Sequence, residues 1–170
     1  MGLQNSKSMK KVCFYLSLFL VFSCVSIRSN VGAVPGFRKI LVVLKMNRAN
    51  DEYANKYLRA FPKQYEVCAI THDTISLVNL KEKTAQWLNY CKSDAILTIT
   101  TQNVGYSTGG VYAGQYVSRG IPYGIFAEMR MVSDGKPFWK AQISTGYMLG
   151  ETFEPARVVN QLKRDGVLTD

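Results

Sequence analysis

Apolar residues fall into unbroken runs, helical spacings and strict alternations along this chain, and the order of those rhythms predicts an α/β protein. Ile40-Leu41-Val42-Val43-Leu44 is continuously apolar, the pattern of a strand buried on both faces beneath helices. Asn50 is placed to cap a helix, with Asp51 and Glu52 complementing the dipole of its first turn. Tyr53, Ala54, Tyr57, Leu58 and Phe61 then share one helical face, and Pro62 ends it. A second strand is predicted from Tyr65 to Thr71 and a second helix from Ser76 to Cys91, with Leu77, Leu80, Thr84, Trp87, Leu88 and Cys91 at three-to-four spacing. The third strand runs from Asp94 to Thr100. Strands alternating with helices imply crossover connections and a parallel core.

The rhythm then changes to period two. Ile125, Ala127, Met129 and Met131 alternate with Phe126, Glu128 and Arg130, as in a strand with one face in the core. After the turn residues Ser133 to Pro137, Trp139, Ala141, Ile143 and Thr145 alternate with Lys140, Gln142 and Ser144, which completes an antiparallel hairpin. Thr152 is the expected cap of a last helix with Phe153, Ala156, Val159 and Leu162 on one stripe; Lys163, Arg164 and Gly166 close it. The predicted fold class is α/β, a mixed sheet in two or three layers with element order β-α-β-α-β-β-β-α. Its first half is parallel and its second half an antiparallel hairpin.

One apolar run lies outside this scheme. Met9-Lys10-Lys11 precedes Val12 to Phe22, and Ser23-Cys24 follows, the layout of a secretory signal. The run is broken by Ser17 and Ser23 and falls short of the ~20 residues that span a bilayer. Two processing routes are open. Val21-Phe22-Ser23-Cys24 resembles the lipobox of bacterial lipoproteins, which would make Cys24 a lipidated mature terminus, although Phe22 is bulky for that box. Val31-Gly32-Ala33 offers ordinary cleavage and a soluble chain starting at Val34. Met1-Gly2-Leu3-Gln4-Asn5-Ser6 also fits the short myristoylation pattern, but a secretory segment directly behind it argues against cytosolic acylation. Residues 1–33 are thus read as signal and linker, cleaved after Ser23 or Ala33, and 34–170 as one domain, since about 140 residues suit one core.

The signal alters the composition. Lys7, Lys10 and Lys11 supply three of the +9 formal charge, leaving +6 after Cys24, spread along the chain. That distribution fits weak attraction to anionic lipid or polymer, not a nucleic-acid site. Of four cysteines, Cys13 and Cys24 belong to the export segment. Cys68 and Cys91 make neither a disulfide framework nor a metal motif. In an oxidising compartment they could pair, but with Cys68 in an apolar strand and Cys91 at a helix end they are expected as two separately buried small hydrophobes.

No constellation of catalytic groups emerges. The single histidine, His72, follows Cys68 by four residues, about 13 Å along a strand and too far for a nucleophile pair. It reads as a strand-end residue whose neighbour Asp73 or Thr74 caps the next helix. Glu128 and Arg130 share a strand face, where an ion pair is the ordinary expectation. Trp139 reads as packing against the closing helix. The unusual segment is 105–123, rich in glycine and tyrosine. It lacks the lysine and following helix of a phosphate loop, and reads as a long structureless connection of the kind that often carries function. Tyr106, Tyr112, Tyr116, Arg119 and Tyr123 are the candidate recognition surface, for a protein partner or a sugar polymer.

The opening strand Arg38 to Leu44, the junction Ser93-Asp94-Ala95-Ile96-Leu97, the hairpin Asp134 to Ala141 and the closing amphipathic helix together resemble a group of bacterial envelope lipoprotein domains. The group includes the amino-terminal domain of the Tol-system periplasmic protein and the curli-secretion lipoprotein. The resemblance covers most of residues 37 to 168. It implies a periplasmic or outer-membrane-anchored domain of a Gram-negative bacterium and carries over no catalytic residue. The resulting expectation is an exported, non-catalytic domain, tethered to the membrane if Cys24 is the processed residue and soluble otherwise, that binds an envelope protein or glycan, with no cofactor, no metal and no nucleic acid. Two alternatives stand beside it: a small envelope hydrolase or ligand-binding enzyme built on 105–123, and a homo-oligomeric structural subunit.

Overall fold

Ile40 to Leu44 form the middle of β2 (Lys39–Lys45), and all of them are buried. The computed structural model describes residues 26–46, 50–73, 75–103, 109–112, 115–118, 123–144 and 154–170. β2 pairs in parallel with β3 (Glu66–His72) on one side and with β4 (Ala95–Asn103) on the other. Helix α1 (Asp51–Ala60) links β2 to β3, and α2 (Leu80–Cys91) links β3 back across β2 to β4. Those two steps run in opposite directions, so crossovers of one hand put the helices on opposite faces. α1 packs on the face of Ile40, Val42 and Leu44. α2 packs on the face of Leu41, Val43, Ile70 and Ile96.

The antiparallel half follows. β7 (Tyr123–Met131) pairs with β4, β8 (Pro137–Ser144) pairs with β7, and a further strand, β1 (Ser26–Val31), pairs with β8 at the edge. The full order is β1-β8-β7-β4-β2-β3. Helix α3 (Pro155–Arg164) buries Pro155, Val158, Val159 and Leu162 on the α1 face. Among the described residues two layers and three layers thus coexist: the parallel half is covered on both faces, the antiparallel half on one. The predicted α/β class and its division into parallel and antiparallel halves hold.

Local chemistry accounts for most boundaries. Asn50 Oδ1 accepts the Tyr53 N–H at 2.8 Å, capping α1 as predicted. α2 starts at Leu80 rather than Ser76, because Asn79 Oδ1 accepts the Lys81 N–H. Asp73 caps no helix; its carboxylate accepts the Ile75 N–H and closes a turn, and Thr74 lies outside the described residues. α3 starts at Pro155, whose fixed φ suits a first helical position, while the predicted cap Thr152 and Phe153 lie outside the described residues. Gly166, at φ +70°, then turns Val167 and Leu168 back into the core. Trp139 is 1% exposed and donates its Nε1–H to Asp165 Oδ2 at 2.7 Å, so it packs at the closing helix as expected. Gln161 Nε2 donates to Asp165 and to Ser29 Oγ, which ties α3 to β1 as well.

Three expectations are corrected. Residues 26–31, assigned no element, form β1, because β8 offers an open antiparallel edge that six residues fill in register. The connection 105–123 is not structureless: β5 (Gly109–Tyr112) and β6 (Gln115–Ser118) pair as an antiparallel ribbon. Cys68 and Cys91 are not separate; they form a disulfide, with Cα atoms 6.4 Å apart. α2 returns along the sheet, which brings its last residue over the third residue of β3.

That bond matters because α2 has no fully buried residue; Leu80, Trp87 and Leu88 only half-bury against the sheet. Replacing Cys68 and Cys91 together by serine should cost about 3 kcal/mol for a loop of this size. Urea titration checks it, with amide exchange in α2 rising before the rest of the sheet.

Asp94 secures the opposite end of the sheet. Its Oδ2 accepts the N–H groups of Arg38 and Lys39, each at 3.0 Å, while its own backbone bonds Lys39 and Val132. Those two backbone donors hold its carboxyl below the usual carboxylate range. A lowered folded value means the contribution is complete above the ordinary carboxylate range and is lost as pH falls through the lowered value. Asp94→Asn should cost about 1 kcal/mol at neutral pH, screening at this exposed site keeping it small. The difference from the parent should vanish in acid, measured by denaturation across pH.

Candidate functional site

The half of the sheet that α2 does not reach, with the end of β2, carries side chains from five strands on one face. One rung runs Lys45, Thr100, Phe126, Gln142, Arg28, and the next runs Thr98, Glu128, Lys140, Asn30. Arg130 stands one step further along β7. These residues line an open trough of about 690 Å³. Its long dimension, from β2 to β1, spans four strand spacings or roughly 19 Å. One end lies at the carboxyl ends of β2 and β4, where the strand order reverses, the place where open α/β sheets tend to bind ligands.

The electrostatics are one-sided. Arg28, Lys45, Arg130 and Lys140 face a single carboxylate, Glu128. Glu128 Oε2 meets Lys140 Nζ at 3.0 Å, its directly opposite neighbour on β8. The expected Glu128–Arg130 pair does not form, because cross-strand neighbours on a face are closer than residues two apart on one strand. Arg28, Lys45 and Arg130 have no acidic partner among the described residues. In their midst Phe126 is half-buried and offers an apolar ring. Cations, hydroxyls and amides around a ring make a surface for an extended anionic chain. Hydrolysis of a glycosidic bond by paired carboxylates would need a second acid beside Glu128, and the trough lining contains none among the described residues.

His72 ends β3 in the same rung as Lys45 and is buried, with no hydrogen bond to Nδ1 among the described residues. Cys68, its imagined nucleophilic partner, is held in the disulfide. No group of three His, Cys, Asp or Glu side chains able to hold a metal ion occurs among the described residues. No described helix is long and apolar enough to cross a membrane.

The residues singled out from sequence lie elsewhere. Cys24, Tyr106 and Arg119 are outside the described residues. Tyr112 and Tyr116 fall on the β5–β6 ribbon, in register with Gln115 and Val111, and Tyr123 opens β7 opposite Asn103. The trough itself escaped the sequence. The polar alternation of β7 and β8 marked half of it, but Arg28 and Asn30 sat in a stretch taken for linker.

Neither a protein-family model nor a curated protein matches the chain. Among solved structures it is similar to PelC of Paraburkholderia phytofirmans, described as a dodecamer, at 18% identity and TM-score 0.44. A point variant of that dodecamer gives 16% and 0.45, and both comparisons cover 81% of this chain and 95% of that chain. A PDZ domain protein of Parabacteroides distasonis is similar at 7% identity and TM-score 0.41, over 95% of this chain and 41% of that one.

Proposed function

We propose that this chain is an exported, lipid-tethered, non-catalytic domain of the bacterial envelope, which binds an anionic envelope component on the uncovered half of its sheet. The observation that carries the reading is the trough, where four cations from three strands and the end of a fourth surround Phe126 and face one carboxylate. The disulfide between Cys68 and Cys91 suits an oxidising compartment outside the cytosol. The resemblance of the opening strand, the Asp94 junction, the hairpin and the closing helix to envelope lipoprotein domains supports the same reading.

β1 supports Cys24 as the tether. Cleavage after Ala33 would remove the whole strand and strip β8 of an antiparallel partner along its edge. It would also remove Ser29, the acceptor that links α3 to this edge. Cleavage before Cys24 keeps every element of the sheet and leaves a single residue between the acylated terminus and Ser26.

Two measurements test this. Intact mass of the protein recovered from the envelope should show a diacyl- or triacyl-modified chain beginning at Cys24; an unmodified terminus at Val34 overturns the tether. Calorimetric titration should show binding to polygalacturonate, an anionic glycan, and none to neutral dextran. Arg28→Gln combined with Arg130→Gln should weaken it about ten-fold, as should added salt. Equal affinity for both polymers, or for neither, overturns the anionic partner.

A further inference from the structure

The end of the sheet at which β1 begins also carries the most exposed aliphatic side chains among the described residues. Ile75 is 85% exposed, Leu77 103% and Val78 56%. They lie between β3 and α2, in a connection held by its own polar groups. Asp73 accepts the Ile75 and Ser76 N–H groups, Ser76 Oγ accepts the Val78 N–H, and Asn79 Oδ1 accepts the Lys81 N–H. Lys83 Nζ, from the first turn of α2, bonds the Thr71 carbonyl at the root of the connection. Side-chain to backbone bonds thus shape this loop without burying its aliphatics, and present them outward.

Register places this loop relative to the amino terminus. Ser26 pairs with Ser144, Ser144 with Gly124, and Gly124 with Gln102, at the carboxyl end of β4. β4 and β3 both run parallel to β2, so the carboxyl end of β3, at His72, is this same end of the sheet. The chain therefore arrives at Ser26 from the same end at which Ile75, Leu77 and Val78 project. β1 and β3 are the two edges, five strand spacings or roughly 24 Å apart.

We infer that this end of the domain lies against a phospholipid surface, with Ile75, Leu77 and Val78 inserted at the headgroup boundary as a second contact beside the tether. The inference rests on the Cys24 tether proposed above. The occupant follows from the tether: Cys24 stands two residues before Ser26, which opens β1 at this end of the sheet. Lipid attached at one residue holds a protein to a membrane without orienting it, and a second contact fixes how the domain stands. Contacts at both edges of one end stand the strands upright on the bilayer. The trough, which opens on a face and not on an end, then stays free for a ligand.

The test replaces the natural tether, so that its outcome does not depend on acylation. The chain from residue 24, carrying Cys24→Ser behind a polyhistidine tag, is held on nickel-chelating phosphatidylcholine vesicles. It retains every strand and helix described above. A tryptophan at the loop, Leu77→Trp, should be quenched by brominated phosphatidylcholine about twice as strongly as one at Lys136→Trp, in the turn at the opposite end of the sheet. Ile75→Ser with Val78→Ser, both at exposed positions, should lower that quenching without changing the melting temperature. Equal quenching at positions 77 and 136 overturns the inference. So does a dimer in sedimentation that Ile75→Ser and Leu77→Ser dissolve, which would assign the patch to a second copy of the chain. Failure of the tether itself is read separately, from the intact mass.

Discussion

A parallel pair of strands must be joined by a crossover, and a crossover carries a helix; an antiparallel pair needs only a turn. In a sheet that changes from parallel to antiparallel at its middle, cover on both faces therefore stops where the pairing changes. Here the change falls between β4 and β7. β2 and its parallel neighbours lie between α1 and α2, which is why Ile40 to Leu44 can be apolar without interruption. Beyond β4, α3 alone among the described elements covers the sheet, and the other face carries Phe126, Glu128, Arg130, Lys140, Gln142, Arg28 and Asn30. The trough is the direct product of topology.

The same constraint makes the two covering layers unequal. On the α3 side a continuous core runs from Tyr57 through Leu97 and Met129 to Trp139 and Leu162. Its edge is joined by the chain of bonds from Trp139 through Asp165 and Gln161 to Ser29, which carries α3's hold from β8 onto β1. On the α2 side a smaller cluster sits under a helix with no fully buried residue. A covalent bond from Cys91 to Cys68 supplies there what burial does not. The aliphatic loop preceding α2 belongs to this thinly held layer, and its side chains find no core to enter.

Function follows from how these parts are arranged around the two ends and the open face. One end is locked by Asp94, which gathers the starts of β2 and β4 and the end of β7. The other end is where the chain enters β1 at Ser26, and it presents Ile75, Leu77 and Val78. Between them the cationic face stands at right angles to both. In the proposed reading, a domain tethered at this end holds an anionic partner without the membrane competing for the same surface.

The sequence by itself determined the elements whose causes are local. The apolar run of β2, the Asn50 cap of α1, the alternation of β7 and β8, the turn at Gly135 and the close of α3 at Gly166 all depend on residues within a few positions of one another. Tertiary structure alone decided which distant segments became neighbours. Ser26 to Val31 has no strong strand pattern of its own and is a strand because β8 has a free edge. Cys68 finds Cys91 because α2 starts at Leu80, after its cap Asn79, and runs back over β3. Glu128 takes Lys140 because the β7–β8 register sets them opposite. The Gly/Tyr-rich segment drew attention by composition, whereas the trough is assembled from ordinary residues of five strands and becomes a candidate site only when the sheet brings them side by side. Residue spacing along a chain encodes helical faces and strand alternation; it does not encode strand order, and strand order made this surface.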